Sequence, residues 1–265
     1  MKTRAKYPGN DEQRPPLFRA IRRIVWRLFP KFRLSGEENL PEEPCVIVGN
    51  HSQVYGPLAA EFYMPRKHSI WCIGEMMNRK EVPAYAFAEF WSEKPRASRW
   101  FYRAASHLIA PVAGYIFPKA HTIPVYHDAR VMTTFRKSVD RLKDGADIVI
   151  FPESHEPYNG IVWQFQEHFA DLATLYFKRT GREVRFVPMY TAPELKTIRF
   201  GAPVRCRFDA EDSGAERTRV CTELMDAITR LAAEMPPHRV VPYVNIPKKE
   251  YPLNTDGTAA GAQGK

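Results

Sequence analysis

The sequence has few cysteines and no long hydrophobic run, and each shortage excludes a class of protein. The four cysteines stand far apart, without the spacing of a metal site or of a disulfide framework. The longest weakly polar run, 108–118, is too short to cross a bilayer, and the amino end lacks the apolar core of a signal peptide. We therefore expect reduced cysteines and a cytoplasmic protein that does not span a membrane.

The chain also shows no glycine-rich phosphate loop, no internal repeat and no recognisable nucleic-acid-binding module. Nucleic acid is therefore not an expected partner, in spite of the net charge of +9. Four histidines lie at or near the ends of apolar runs: His51, His121, His127 and His155. Their spacing is not that of a known ligand signature, so we expect no metal or other cofactor.

What the sequence does contain is an alternation of short apolar runs and helical patterns. Such alternation predicts an α/β fold, with a mostly parallel central sheet flanked by helices. The predicted strands are 45–49, 69–73, 122–126, 147–151, 184–190, 197–200 and 204–208. The main predicted helices are 16–30, 129–143, 163–179 and 211–234, and further helical segments are predicted to fill 83–117. We predict a basic amino-terminal arm (1–34), one α/β domain (35–250) and a disordered tail (251–265).

The amino-terminal arm carries most of the charge. Residues 1–34 contain ten Lys or Arg and two Asp or Glu, so 10 − 2 = +8 of the +9 lies there. Its apolar residues recur at the spacing of one helical face: Leu17, Phe18, Ile21, Ile24, Val25, Leu28 and Phe29. This pattern predicts an amphipathic helix that lies on anionic lipid or packs on the sheet. The residues expected to bind the membrane are Arg19, Arg22, Arg23, Trp26 and Arg27.

Polar residues follow the apolar runs at the points where strands are predicted to end. The first run continues into Asn50-His51-Ser52-Gln53-Val54-Tyr55-Gly56-Pro57, and a later one into Phe151-Pro152-Glu153-Ser154-His155-Glu156. Between them stands Ile123-Pro124-Val125-Tyr126-His127, and after them Val187-Pro188. In an open α/β sheet, substrates are usually held at the carboxyl ends of the strands.

These four blocks, in this order, resemble the glycerolipid (lysophospholipid) acyltransferase family over roughly residues 35–210. The family's marks are Asn-His-x4-Asp, Gly-x-Ile-Pro-Val-x-Arg, Phe-Pro-Glu-Gly-Thr-Arg and a Val-Pro strand. The resemblance implies an acyltransferase-like fold and transfer of a fatty acyl group from acyl-CoA or acyl carrier protein to a lysolipid or related hydroxyl. It also implies that His51 is the general base and Glu153 a carboxylate that shapes the site.

Three positions depart from the family pattern. Gly56 stands where the family has its aspartate, His127 where it commonly has arginine, and Ser154-His155-Glu156 where it has Gly-Thr-Arg. Because an aspartate of this kind orients the histidine and stabilises its charged form, two alternatives follow. Either another carboxylate (Glu75, Glu153 or Glu156) reaches His51, or the chemistry is altered.

The second and third departures concern the acceptor. In the family, the two arginines are implied to hold an acceptor phosphate, and His127 and Glu156 stand at their positions here. The pattern therefore favours a neutral or zwitterionic acceptor over lysophosphatidate, unless Arg130 substitutes. The residues expected to contact substrate are Asn50, Tyr55, Gly56, His127, Arg130, Phe151, Pro152, Ser154 and His155. We expect a peripheral protein on the inner face of the membrane. A non-catalytic lipid-binding protein and an acyl hydrolase remain as alternative functions.

Overall fold

The structure is a computed structural model that describes residues 14–91, 95–126, 128–208 and 210–256. Its strands are β1 Arg33–Ser35, β2 Val46–Gly49, β3 His68–Ile73, β4 Ile123–Val125, β5 Asp147–Ile150, β6 Glu153–Pro157, β7 Trp163–Phe165, β8 Arg185–Ala192, β9 Thr197–Phe200 and β10 Val204–Arg205. Its helices are α1 Pro16–Leu28, α2 Tyr55–Tyr63, α3 Val82–Trp91, α4 Arg99–Ile116, α5 Val131–Lys143, α6 Asp171–Thr180 and α7 Ser213–Ala233.

The main sheet has eight strands in the order β1-β9-β8-β2-β5-β3-β4, and β10 pairs with β8 off this path. From β8 to β4, five neighbouring strands run parallel. Strands β9 and β10 run antiparallel to β8, while β6 and β7 form a separate hairpin. Parallel neighbours require crossover connections, and helices such as α2 and α5 lie in them. The predicted α/β fold with a mostly parallel sheet is confirmed.

Both faces of the sheet are covered because successive side chains of a strand point to opposite faces. Val46 and Val48 of β2 belong to the larger core cluster, which includes residues of α5, α6 and α7. Ile47 belongs to the other cluster, together with residues of α2 and the buried Phe29 just after α1. The apolar run 45–48 is therefore buried throughout, as a central parallel strand requires.

Several stretches differ from the sequence-based prediction: strands β1 and β6 were not predicted, and the helical stretch 83–117 contains the two helices α3 and α4. The helix predicted for 163–179 begins only at Asp171, since Trp163–Phe165 is strand β7 and pairs with β6. The disordered tail predicted from residue 251 is also wrong for its first part. Asn254 is 1% exposed, and its side chain donates to the carbonyl of Ala232 at the end of α7 across 2.8 Å. Residues 257–265 of the predicted tail lie outside the described residues.

The topology brings the carboxyl ends of four parallel strands to one edge of the sheet. Strands β2, β5, β3 and β4 lie side by side in that order. Their ends carry the first, third and second motif blocks, with the residues after β3 between them. This edge, called the carboxyl edge below, is where an α/β sheet usually holds a ligand.

Candidate functional site

The turn after β2 is fixed by the side chain of Asn50. Its Nδ2 donates to Ser52 Oγ across 2.7 Å and to the carbonyl of Thr191 across 3.2 Å, while its Oδ1 accepts the Thr191 amide across 2.8 Å. Asn50 is 1% exposed. The contact of Asn50 with substrate stays a prediction, and the hydrogen bonds show that its side chain joins the end of β2 to the end of β8.

The backbone immediately after His51 adopts an unusual conformation. Ser52 and Gln53 have φ values of 46° and 54°, in the left-handed region that residues with a side chain seldom occupy. Each such residue costs on the order of 1 kcal/mol, and such strain tends to concentrate at functional sites. The Asn50 hydrogen bonds hold this turn in place, so the position of His51 is set by buried polar contacts.

Gly56 closes the same turn through its backbone. Its amide donates to the carbonyl of His51 across 3.0 Å. A Cβ atom at this position would lie 2.5 Å from that carbonyl oxygen and 2.8 Å from the carbonyl oxygen of Asn50. No side chain fits there without a shift of the backbone. Gly56 is buried, and its contact with substrate stays a prediction.

The imidazole of His51 lies between two aromatic rings. The rings of Phe151 and Tyr243 each have their centroid 5.6 Å from that of His51, at interplanar angles of 71° and 76°. Nδ1 is buried without a hydrogen-bond partner. Burial lowers the pKa of His51 to about 4. The nearby backbone of Gln53 opposes this shift only partly, and it does not form a hydrogen bond with Nδ1. The ring is therefore neutral at pH 7.

Glu153 binds backbone amides instead of the histidine ring. Its Oε2 accepts the His51 amide across 2.5 Å, and its Oε1 accepts the Trp163 amide across 2.9 Å. Burial raises the pKa of Glu153 to about 7, although both amide hydrogen bonds favour the ionised form. This carboxylate joins the end of β2 to the β6–β7 hairpin.

No carboxylate in the described part of the chain replaces the missing aspartate at the His51 ring. Nδ1 has no partner, so neither Glu75, Glu153 nor Glu156 bonds it. Glu156 is exposed. Glu75 lies just after β3 and has one buried carboxylate oxygen without a partner of its own. The alternative in which one of these three residues completes a His–carboxylate pair is wrong for this structure.

The other predicted contact residues divide into two groups. Phe151 and His155 lie beside the His51 ring, directly or through Tyr243, whose ring centroid is 5.3 Å from that of His155. Tyr55 instead packs near Phe29, with ring centroids 6.0 Å apart. Pro152 is buried and its carbonyl accepts the Gln166 amide. Ser154 Oγ, partly buried, accepts the Glu156 amide across 3.3 Å.

Arg130 is engaged with its own neighbours. Its guanidinium pairs with the carboxylate of Asp128 across 2.8 Å and stacks over the ring of Tyr126, 4.1 Å from the centroid. The Asp128 carboxylate neutralises the positive charge of Arg130, which would otherwise attract a phosphate. His127, the other residue at this predicted contact, lies outside the described residues.

The amino-terminal helix faces the protein with one part of its apolar arc. Phe18 is buried, Phe29 just beyond the helix is buried, and Val25 and Trp26 pack against the core. Arg22 is buried as well: its Nε donates to Glu61 Oε1 across 2.7 Å and its Nη2 to the Glu61 carbonyl across 2.8 Å. The prediction that Arg22 binds membrane is therefore corrected, since the residue attaches α1 to α2.

The rest of the arc faces outward. Leu17, Ile24 and Leu28 are 59%, 59% and 82% exposed. Arg23 and Arg27 are also exposed, while Arg19 is partly buried. The apolar face of α1 is therefore only partly covered by the rest of the protein. Phe18 is buried, whereas Leu17, Ile24 and Leu28 are exposed. Of the helices described, none is both long and apolar enough to cross a membrane.

The sequence analysis missed Tyr243, which contacts the candidate base. It stands in the short apolar run Val240-Val241-Pro242-Tyr243-Val244, beyond the last motif block. That run was the only sequence signal that this part of the chain is packed. In the described ranges, moreover, no three His, Cys, Asp or Glu side chains cluster closely enough to hold a metal ion.

Comparison with known proteins gives one distant likeness to report. No protein-family model matches the chain, and no curated protein matches it. Among solved structures, it is similar to the 1-acyl-sn-glycerophosphate acyltransferase PlsC from Thermotoga maritima. The identity is 17%, the match covers 83% of this chain and 81% of that chain, and the TM-score is 0.45. A likeness of this size assigns no activity, so the function has to be inferred from the side chains at the carboxyl edge.

Proposed function

We propose that this protein transfers an acyl group from a thioester, carried by coenzyme A or acyl carrier protein, to a hydroxyl group of a lysolipid or related acceptor. The observation that carries this proposal is His51, a neutral, partly buried histidine just after the carboxyl end of a central parallel strand. The order of the four motif blocks supports the same chemistry.

In the proposed reaction, Nε2 of His51 is the base, because Nδ1 is buried. Nε2 takes the proton of the acceptor hydroxyl as its oxygen attacks the thioester carbonyl carbon. The tetrahedral intermediate then collapses, the carbon–sulfur bond breaks, and the leaving thiolate takes the proton from the imidazolium to become a thiol. One ester and one thiol are formed, and the histidine returns to its neutral state.

The missing carboxylate lowers the rate expected for this reaction. A histidine with a pKa of about 4 is a weaker base than one near 7, and its charged form gains nothing from a partner on Nδ1. In serine hydrolases, removal of the equivalent carboxylate function costs about 10⁴-fold. The same observation favours the second candidate function, a lipid-binding protein without catalysis.

The acceptor class follows from the charges near the motif blocks. Arg130 is paired with Asp128, and Glu156 is exposed where the related family has arginine. An anionic phosphate would meet a carboxylate and a guanidinium that is already paired. We therefore propose an acceptor with a neutral or zwitterionic head group.

Membrane lipids are the proposed partner of the outward part of α1. Leu17, Ile24 and Leu28 form its exposed apolar ridge, and the exposed Arg23 and Arg27 suit anionic lipid head groups. Helix α4 exposes a second apolar strip: Trp100, Phe101, Leu108 and Val112. This arrangement supports peripheral attachment to the inner, cytoplasmic face of a membrane.

The test is acyl transfer detected by mass spectrometry, with mixed acyl-CoA and acyl-carrier-protein donors and a panel of lysolipids and alcohols. The natural protein is compared with His51→Ala and, as a matched control, His168→Ala, which alters a side chain that is 82% exposed. Acylated product that requires His51 but not His168 supports the proposal. Free fatty acid alone, dependent on His51, indicates a hydrolase. No turnover by the folded natural protein indicates the lipid-binding alternative.

A further inference from the structure

The chain beyond α7 forms a loop whose two ends are fastened together. The amide of His238 donates to Asn254 Oδ1 across 2.9 Å, and the amide of Asn254 donates to the His238 carbonyl across 3.0 Å. A third bond, from the Val240 amide to the Pro252 carbonyl, spans 2.8 Å. Residues 241–251 therefore form a loop with a closed base.

That base is anchored to the main fold. Nε2 of His238 lies 2.8 Å from the hydroxyl of Tyr190 in β8, and His238 is 3% exposed. Nδ2 of Asn254 donates to the Ala232 carbonyl at the end of α7. Because both partners belong to regular elements of the core, the base of the loop is held at a defined place beside the sheet.

The two limbs of the loop contact the residues around the candidate base. On one limb, the ring of Tyr243 lies edge-on to the ring of His51 and also contacts His155. On the other limb, the hydroxyl of Tyr251 accepts a hydrogen bond from Gln53 Nε2 across 3.1 Å. The loop thus contacts both His51 and the strained turn that follows it.

We propose that Tyr243 is a positioning residue, whose ring, together with that of Phe151, holds the imidazole of His51 in the orientation that a carboxylate fixes in a His–carboxylate pair. Edge-to-face ring pairs at these distances have a preferred geometry, and here two of them contact one imidazole. Unlike a carboxylate, the aromatic rings restrict the imidazole without favouring its charged form. The catalytic part of this inference rests on the proposed function; the positioning of the ring does not.

Two substitutions separate the ring from the hydroxyl of Tyr243. Tyr243→Phe keeps the ring, whereas Tyr243→Ala removes it. Because His51 and Tyr243 are both partly exposed, we expect both variants to fold, and a thermal melt checks this. Asn245→Ala changes an exposed residue of the same loop and serves as the control. We expect transfer rates within about twofold of the natural protein for Tyr243→Phe and Asn245→Ala. For Tyr243→Ala we expect a kcat lower by about 10²-fold, the usual cost of a misplaced catalytic group, with little change in acceptor KM.

A second readout does not depend on turnover. An NMR titration of the His51 imidazole reports whether water reaches the ring, since its low pKa is caused by burial. The titratable groups around the ring are Glu153 and His155 of β6 and Tyr243 itself, and burial raises the pKa of Glu153 to about 7, so an inflection near pH 7 is not assigned to His51. In Tyr243→Ala, we expect the His51 pKa to move upward from about 4 toward the ordinary value, and in Tyr243→Phe we expect it to stay.

The outcomes decide the two proposals separately. If the natural protein shows no transfer, the proposed function fails, and the titration of His51 in Tyr243→Ala still tests whether the Tyr243 ring covers the imidazole, which the positioning role requires. An unchanged titration, or full activity in Tyr243→Ala, overturns the positioning role. Equal losses in Tyr243→Phe and Tyr243→Ala also overturn it, because the hydroxyl and not the ring would then be responsible.

Discussion

The amide of Gly56 donates to the carbonyl of His51 across 3.0 Å, and this bond closes the turn from β2 into α2. The backbone around it leaves no room for a Cβ atom. An aspartate at position 56 would therefore require a change of the backbone of this turn. The turn itself has a conformation in which a side chain at this position does not fit.

Gly56→Asp should consequently fail to restore a His–carboxylate pair. We expect a loss of stability of at least about 1–3 kcal/mol, the usual cost of forcing extra atoms into a packed site, and no gain in transfer rate. Urea unfolding and kcat check both points. Gly56→Ala is the matched control, because its Cβ alone meets the same two carbonyl oxygens and should account for most of the loss. A stable and faster Gly56→Asp enzyme would contradict this account.

Asn50 should be needed for stability as well as for the position of His51. Asn50→Ala leaves the buried Thr191 amide without its partner, whereas the Thr191 carbonyl keeps the hydrogen bond from Ser52 Oγ across 3.3 Å. Each buried polar group left unpaired costs about 1–3 kcal/mol. We expect urea unfolding to show a loss of that order or larger, whereas the exposed Asn245 should tolerate alanine within about 0.5 kcal/mol. Equal stabilities of the two variants would exclude the bridging role of Asn50.

The pKa values of Glu153 and His51 predict opposite effects on stability. The pKa of Glu153 is raised from 4.5 to about 7, so between these values the folded state holds more protons and stability falls as pH rises. The pKa of His51 is lowered from 6.5 to about 4, so between those values the unfolded state holds more protons and stability increases with pH. In the natural protein, the two contributions oppose each other between about pH 4.5 and 6.5.

Single variants should separate the opposing contributions of Glu153 and His51 to the pH dependence of stability. In this pH range, Glu153→Gln loses the Glu153 contribution and keeps that of His51, so its stability should increase with pH relative to the natural protein. His51→Ala loses the His51 contribution and keeps that of Glu153, so its stability should decrease with pH relative to the natural protein. Each slope is at most about 1.4 kcal/mol per pH unit. Denaturant unfolding at a series of pH values measures both, and two variants with slopes of the same sign would refute the assignment.

The fold was predictable because it follows from local patterns. The apolar run 45–48 is buried on both sides, and a continuous apolar run of this length predicts a central parallel strand. The helices at 131–143 and 213–233 lie where the spacing of apolar residues predicts them. Strand β7 was missed because it has only three residues and depends on its partner strand β6, whose first residue, Glu153, accepts the Trp163 amide. Its stabilising contacts lie outside the strand itself.

The site was predictable only as far as single positions could indicate it. His51 and Glu153 were identified from their places after apolar runs, but their partners were not. The two amides that Glu153 binds, the Thr191 backbone that Asn50 binds and the ring of Tyr243 all come from other parts of the chain. A sequence pattern does not specify such contacts, because they depend on how the elements pack together.

Arg22 and Arg23 are neighbours in the sequence with different environments, and they should respond differently to substitution. Arg22 is buried against Glu61, and removing one partner of a buried ion pair costs about 3–5 kcal/mol. Because Arg14 also binds Glu61 across 2.5 Å, we expect Arg22→Ala to lie at the low end. Arg23→Ala, at an exposed position, should cost less than about 0.5 kcal/mol. Thermal and urea unfolding compare the pair directly.

Binding to anionic vesicles should depend on the exposed residues of α1 and not on Arg22. Each basic side chain near an anionic surface contributes about 1 kcal/mol, so Arg23→Gln with Arg27→Gln should weaken binding about 30-fold and leave the fold intact. The effect should shrink in high salt, since these charges are solvent-exposed. Leu28→Ser, at the most exposed apolar position of the ridge, should weaken binding at any salt concentration. Vesicle sedimentation measures the binding of the double arginine variant, of Leu28→Ser and of the natural protein in high salt. Unchanged binding of the double arginine variant and of Leu28→Ser would rule out this face of α1 as the attachment site.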